Sequence, residues 1–119
     1  MANGYQPYGC PVEATIDVIG GKWKAVILFQ LLEGPKRFSE IRRLLPAVTQ
    51  RMLTLQLREL EEDNVVHREI YQQIPPKVEY SLTEFGKTLE PILLSMLTWG
   101  ERYKSQIIER KDTIKTQSG

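Results

Sequence analysis

Thr49-Gln-Arg-Met-Leu-Thr-Leu-Gln-Leu-Arg-Glu-Leu60 is the stretch whose reading decides the fold. At about 100° per residue, Leu53, Leu57 and Leu60 fall on one stripe with Met52 and Gln56 on its flank, while Arg51, Thr54 and Arg58 gather opposite. Pro46 stops the preceding segment, and the Thr49 hydroxyl is suited to accept a free first-turn amide, so a helix is expected from about Gln50. One face of that helix is made for a core. The other begins with Gln50 and Arg51, donors of the kind that reach adenine and guanine edges in a major groove. The acidic run Glu59, Glu61, Glu62 and Asp63 at the far end would turn the first half of the helix toward phosphate and the second half away.

Working upstream, Ser39 is the expected cap of a further helix whose apolar residues Ile41, Leu44 and Leu45 end at Pro46. Gly34-Pro35 breaks the segment before it. Residues 22–33 hold Trp23, Ala25, Val26, Ile27, Leu28, Phe29, Leu31 and Leu32, apolar almost all round, which predicts a helix at the centre of the core. Val12, Ile16 and Ile19 repeat at helical spacing after Cys10-Pro11, with proline at the first helical position and Gly20-Gly21 at the end. Residues 1–9 are expected to form a flexible arm.

Downstream, Asn64 suits a helix end. Two β-rich runs, 65–71 and 77–82, flank Gln72-Gln73-Ile74-Pro75-Pro76 and predict an antiparallel hairpin. Thr83 is the expected cap of a last helical region reaching about Lys111, roughly 43 Å if continuous, with Pro91 kinking or dividing it. Residues 112–119 are expected to be a disordered tail. Leu89, Leu93, Met96, Gly100, Tyr103 and Ile107 form a stripe with Ile92, Leu97 and Trp99 beside it. That is more apolar surface than a small core covers, so a second copy of the chain is the expected partner, with Val12, Ile16, Leu93, Met96, Trp99, Tyr103 and Ile107 as dimerisation candidates.

The chain of 119 residues fits one domain, placed here at residues 10–111. Its net charge is only +1, so any argument for nucleic acid rests on where the charge lies. Between residues 36 and 58, six cations (Lys36, Arg37, Arg42, Arg43, Arg51, Arg58) face one carboxylate, Glu40. A basic cluster alone is most often a solvated surface; its coincidence with a capped amphipathic helix is what gives it weight. With no secretory segment and no apolar run long enough to span a bilayer, a cytoplasmic protein with no membrane partner is expected. One cysteine excludes an internal disulfide framework.

The element order, four helices, a hairpin and a helix, is mainly α with a small β-hairpin. It is that of a winged helix-turn-helix carrying N- and C-terminal dimerisation helices. The sequence resembles the HxlR-type regulators, relatives of the MarR group. The resemblance rests on Cys10-Pro11-Val12, Gly20-Gly21-Lys22-Trp23, Arg37-Phe38-Ser39-Glu40-Ile41, Met52-Leu53-Thr54 with Leu57-Arg58-Glu59-Leu60, and Pro75-Pro76-Lys77-Val78-Glu79-Tyr80-Ser81-Leu82-Thr83, and covers roughly residues 9 to 104. One departure is Leu55, where the family more often has a polar residue.

The resemblance implies a transcriptional regulator, more often a repressor, binding double-stranded operator DNA. The helix matching Gln50 to Leu60 would enter the major groove and the hairpin would lie against the adjacent backbone or minor groove. Gln50, Arg51 and Thr54 are then candidates for base edges, with Thr49 at the helix start and Arg58 better placed for phosphate. Arg37, Ser39, Arg42 and Arg43 sit on the helix that crosses the backbone in such motifs, and Arg68 and Lys77 flank the wing. As ordinary surface charges these residues would need no ligand.

The resemblance also makes Cys10, just before the proline, a candidate redox or electrophile sensor. The helix dipole favours reactivity there and Glu13 opposes it; a small buried hydrophobe is the competing reading.

Other chemistry finds little support. Gly20-Gly21-Lys22 is no P-loop, since Ile16 stands where glycine is needed and Trp23 where Ser or Thr is needed. His67 has no ligand-spaced companion, and no nucleophile and base can be placed together, so neither a metal, a cofactor nor an enzyme activity is expected. Two readings stay open beside the operator-binding one. One is a winged-helix module that holds a protein partner. The other is a regulator gated by a small-molecule or oxidant effector, with Trp23, Trp99 and Tyr103 lining a pocket.

Overall fold

The computed structural model describes residues 8–118, and side chains through residue 116. The arm expected at residues 1–9 lies outside the described residues except for Tyr8 and Gly9. The chain then runs α1 (Pro11–Ile19), α2 (Lys24–Leu31), β1 (Lys36–Arg37), α3 (Phe38–Leu44), α4 (Gln50–Glu62), β2 (Val66–Tyr71), β3 (Lys77–Leu82), α5 (Glu84–Lys87) and α6 (Glu90–Ser118).

The core gathers one face from nearly every element. Ile27, Leu28 and Leu31 of α2 are buried at its centre, against Ile41 of α3, Leu45 and Val48 of the following turn, and Leu53, Leu57 and Leu60 of α4. Val65, Val66 and Tyr80 close it on the sheet side and Leu93 of α6 on the other. The stripe of α4 is thus buried as its period requires, and Met52 and Leu55 on its outer side stay exposed.

β2 and β3 form the expected hairpin, in register from Val66↔Leu82 to Tyr71↔Lys77. A third strand was not expected. β1 pairs antiparallel with β3 through Lys36↔Tyr80 and Arg37↔Glu79, giving the order β1-β3-β2. A two-residue strand leaves no alternation to read, which is why the sequence conceals it. It also moves the start of α3. Arg37 is held extended as a strand residue (φ −80°, ψ 160°), so the helix begins directly after it at Phe38. The N–H of Arg37 is satisfied by the Glu40 carboxylate at 2.7 Å. Ser39 lies inside the first turn and does not cap the helix.

The last helical region is divided, as Pro91 suggested. α5 ends at Lys87, and α6 restarts at Glu90 with Pro91 in its first turn, where a missing N–H costs nothing. α6 does not stop near Lys111. It continues to Ser118, so residues 112–118 of the segment expected as a disordered tail are helical. No glycine or proline follows Gly100 before Ser118 to end it. The hydroxyls of Thr113 and Thr116 bond back to the carbonyls of Glu109 and Asp112 at 3.0 and 2.9 Å. No helix is long and apolar enough to cross a membrane among the described residues.

Candidate nucleic-acid interface

α3, the turn 45–49 and α4 make the helix-turn-helix. Thr49, extended at φ −77° and ψ 158°, accepts the Met52 N–H at 3.0 Å and starts α4. With Leu53, Leu57 and Leu60 anchored in the core, the opposite face is fixed outward. There Thr49, Gln50, Arg51, Met52, Thr54, Leu55 and Arg58 border one shallow hollow.

The side chains in this hollow differ in what they can still offer. Gln50, Arg51 and Arg58 are exposed, and neither arginine makes an ion pair among the described residues. The Thr54 hydroxyl donates to the Gln50 carbonyl of its own helix at 2.9 Å, so toward a ligand it presents lone pairs and a methyl group but no proton. The Thr49 hydroxyl is committed as an acceptor to the cap and keeps its proton to donate. Leu55 adds an exposed apolar side chain at the same surface.

On α3, Arg43 and Ser39 are exposed and Arg37 precedes them at the strand end, also exposed. Arg42 behaves differently. It is half-buried, its guanidinium reaches the Val48 carbonyl at 3.5 Å, and its Nε is buried with no partner. Part of its hydrogen-bonding capacity is thus directed from α3 to the turn.

The wing holds its lysine in a similar way. Lys77 is half-buried, its ammonium lying 3.3 Å from the Glu79 carboxylate and 4.7 Å over the Tyr71 ring. Part of its charge is thus answered within the wing. Arg68 remains exposed on β2. His67 pairs with Glu69 at 2.8 Å on the same strand, and no cluster of potential metal ligands occurs among the described residues.

The angle between α4 and the wing is held by a compact knot. Asn64 takes a left-handed conformation (φ 61°) that ends the helix, and the Val65 N–H returns to the Leu60 carbonyl at 3.1 Å. Thr83, at the end of β3, donates its N–H to the Val65 carbonyl at 3.1 Å and its hydroxyl to the Asn64 carbonyl at 2.7 Å. The same hydroxyl accepts the Gly86 N–H at 2.8 Å and caps α5. One threonine therefore ties the recognition helix, both strands and α5 together. Sequence reasoning saw it only as a cap.

The dimerisation candidates divide. Val12 and Ile16 of α1 and Met96 and Trp99 of α6 are exposed, and Trp99 lies 5.1 Å from Tyr103 between ring centroids. Tyr103 and Ile107 are half-buried. Leu93 is buried in the core of its own protomer. The three aromatics expected around one pocket are not brought together. Trp23 stands at the N-terminus of α2, and the hollows beside Trp99 and Tyr103 are lined by α6 alone. Cys10 is exposed, extended at the N-cap of α1. Beside it the Glu13 carboxylate accepts the Gly9 N–H at 2.8 Å, and the Tyr8 hydroxyl donates to Asp17 at 2.6 Å.

The HxlR-like helix-turn-helix family matches residues 18–108, most of the chain. The chain belongs to that family. A Bacillus subtilis (strain 168) HTH-type transcriptional regulator, YdeP, is 68% identical over 99 residues, 83% of this chain and 77% of YdeP. Among solved structures, the redox regulator HypR in its oxidised form is 68% identical, covers 78% of this chain and 96% of HypR, and superposes with a TM-score of 0.77. In its reduced form the figures are 62%, 84%, 99% and 0.79. As an HxlR-family member this protein is a helix-turn-helix transcriptional regulator, and its relatives are regulators, not enzymes. The winged-helix fold read from the sequence stands.

Proposed function

We propose that this protein binds double-stranded operator DNA as a homodimer, acts as a repressor in the cytoplasm, and responds to oxidants or electrophiles through Cys10. The observation that carries the reading is the outward face of α4: Gln50, Arg51, Thr54 and Arg58 exposed together on a helix anchored by three buried leucines, with both arginines unpaired. Gln50 and Arg51 supply donors for base edges, and Arg58, Arg43 and Arg37 supply charge for the flanking backbone.

A second copy of the chain is supported by the uncovered apolar residues of α1 and α6 and by Gly100. A glycine inside a helix costs about 1 kcal/mol relative to alanine. Among the described residues, nothing outside its own helix backbone lies within 4 Å of where its side chain would be, so no contact between elements requires it. Close approach of a partner backbone would account for it. Two-fold symmetry then presents two recognition helices to half-sites about one helical turn apart in an inverted repeat.

Cys10 is the only cysteine, and it is exposed. Its oxidation therefore joins it to the Cys10 thiol of a second copy or to a small thiol. In either case two thiols give up two protons and two electrons to the oxidant and form one S–S bond. An electrophile instead forms a single S–C bond at the same sulfur. The kinship with a redox regulator supports this part of the reading.

The test is titration of the protein against a fluorescent duplex carrying the intergenic region upstream of its own gene. Scrambled competitor, two salt concentrations and diamide with or without dithiothreitol complete it. Tight, competitor-resistant and salt-sensitive binding is expected, lost with diamide and regained with dithiothreitol. No specific binding to any duplex under reducing conditions would refute the operator reading. Release of a Cys10→Ser variant by diamide would refute the sensor.

A further inference from the structure

α4 carries three acids of its own, Glu59, Glu61 and Glu62, and Glu59 is the one nearest its N-terminal half. It stands four residues beyond Leu55 and seven beyond Met52, so these three side chains share one stripe of the helix. Met52 and Leu55 border the outward hollow together with Arg51 and Arg58. At roughly 1.5 Å per residue, the Glu59 backbone lies about 6 Å past that of Leu55. A free carboxylate there would extend the edge of the hollow toward the same phosphates that Arg58 is placed to meet.

The carboxylate is not free. Its Oε1 lies 2.8 Å from Lys24 Nζ of α2, with 14% of the lysine side chain exposed and 39% of the glutamate. Glu61 and Glu62, in the last turn and farther from the hollow, form no ion pair among the described residues. Stability is a poor account of this choice. Lys24 opens α2, where the helix dipole disfavours a cation, and its side chain is largely withdrawn from water, so the ammonium loses hydration that one partner does not fully return. An apolar side chain packed at that position would join α2 to α4 without either penalty. It would not neutralise Glu59.

Resting on the DNA-binding reading above, we propose that Lys24 is a positioning residue for DNA recognition: it holds Glu59 against α2 and keeps that negative charge away from the phosphates beside the recognition helix. Lys24 needs no contact with DNA to do this. Its effect is that the arginines of α4 meet the duplex without an opposing carboxylate beside them.

The experiment compares the full chain as wild type, Lys24→Met, Glu59→Gln and the double variant on a duplex that the wild type selects from a random pool. Affinity is read at several salt concentrations, and the urea midpoint of each protein is read at one protein concentration. Methionine keeps most of the lysine stem and removes its charge. Lys24→Met is expected to bind about fivefold more weakly at low salt and to approach wild type at high salt, where charges about 10 Å apart are screened; its salt slope is therefore shallower. Glu59→Gln is expected to bind at least as tightly as wild type, and the double variant to recover wild-type affinity within about twofold. Both single variants break the pair and share any structural effect, which the urea midpoint records, so only the unmasked charge separates them in DNA affinity. Lys24→Met binding as tightly as wild type at low salt would overturn the proposal. So would a double variant as weak as Lys24→Met, which would make the loss structural. If the wild type selects no duplex at all, the operator reading itself has failed and the role of Lys24 falls with it.

Discussion

Thr83→Val removes one oxygen and nothing else of comparable size, and it strikes the knot between recognition helix and wing. Two hydrogen bonds are lost. The Gly86 N–H, partly buried, loses its acceptor at 2.8 Å, and capping hydroxyls of this type contribute typically about 1 kcal/mol and up to about 2. The Asn64 carbonyl loses its donor at 2.7 Å. That group is exposed, so water replaces most of the bond and the remaining loss is about 0.5 kcal/mol. Valine fills the same volume, so no cavity is added. The expected destabilisation is about 2 kcal/mol, read as a fall of about 1 M in the urea midpoint for a slope near 2 kcal/mol per M. Protein concentration must be equal in all samples, because dimerisation shifts apparent stability. Thr83→Ser, which keeps the oxygen, should stay within about 0.5 kcal/mol of wild type. A Thr83→Val protein as stable as wild type would refute the knot. A serine variant as unstable as the valine one would move its basis from the hydroxyl to the methyl group.

Gly86→Ala should destabilise by at least about 1 to 3 kcal/mol in the same assay, because its new carbon would meet the Val65 backbone, carbonyl carbon 3.0 Å away and oxygen closer still; an unchanged urea midpoint would disprove that contact. Thr49→Ala should cost about 1 kcal/mol of stability through the lost α4 cap and Thr49→Ser almost nothing, a ranking checked by thermal unfolding. On a selected operator, Arg51→Ala should cost about 1 to 3 kcal/mol and relax preference at one position, whereas Arg58→Ala should lower the salt slope by about 1. Lys77→Ala should leave that slope unchanged, since Glu79 already answers its charge; equal slopes for all three proteins would contradict the division of roles.

The elements that the sequence revealed are those whose periodicity is long enough to read. Thirteen residues of α4 carry three buried leucines at helical spacing, and six-residue strands either side of a proline-bearing loop announce a hairpin. β1 escaped because two residues have no period. Once it pairs with β3, it decides where α3 starts, so the misplacement of the Ser39 cap is the same error seen twice. The extension of α6 escaped for another reason. Its last turns are polar on most sides, and polarity without a breaking residue is equally compatible with helix and coil. At the site, residue types were legible but commitments were not. Lys77 and Arg42 looked as available as Arg58 in the sequence. Their acceptors, Glu79 and the Val48 carbonyl, are fixed by strand register and by the turn.

Those commitments explain how a chain of net charge +1 can offer a strongly basic surface. Four lysines, Lys24, Lys36, Lys77 and Lys87, pair with Glu59, Glu33, Glu79 and Glu84 within 3.3 Å, whereas no arginine forms an ion pair among the described residues. Half of the eight lysines are thus answered inside the protomer. The arginines of α3 and α4 keep theirs. Glu59 matters most in this arrangement, because it lies on the recognition helix itself one residue beyond Arg58. Lys24, its ammonium 2.8 Å away and its side chain largely buried, draws that carboxylate toward α2 and off the side that would face phosphate. The planar fork of arginine suits phosphate oxygens and guanine edges better than an ammonium does. The internal pairing of the lysines therefore leaves the residues best suited to read DNA as the ones exposed to it.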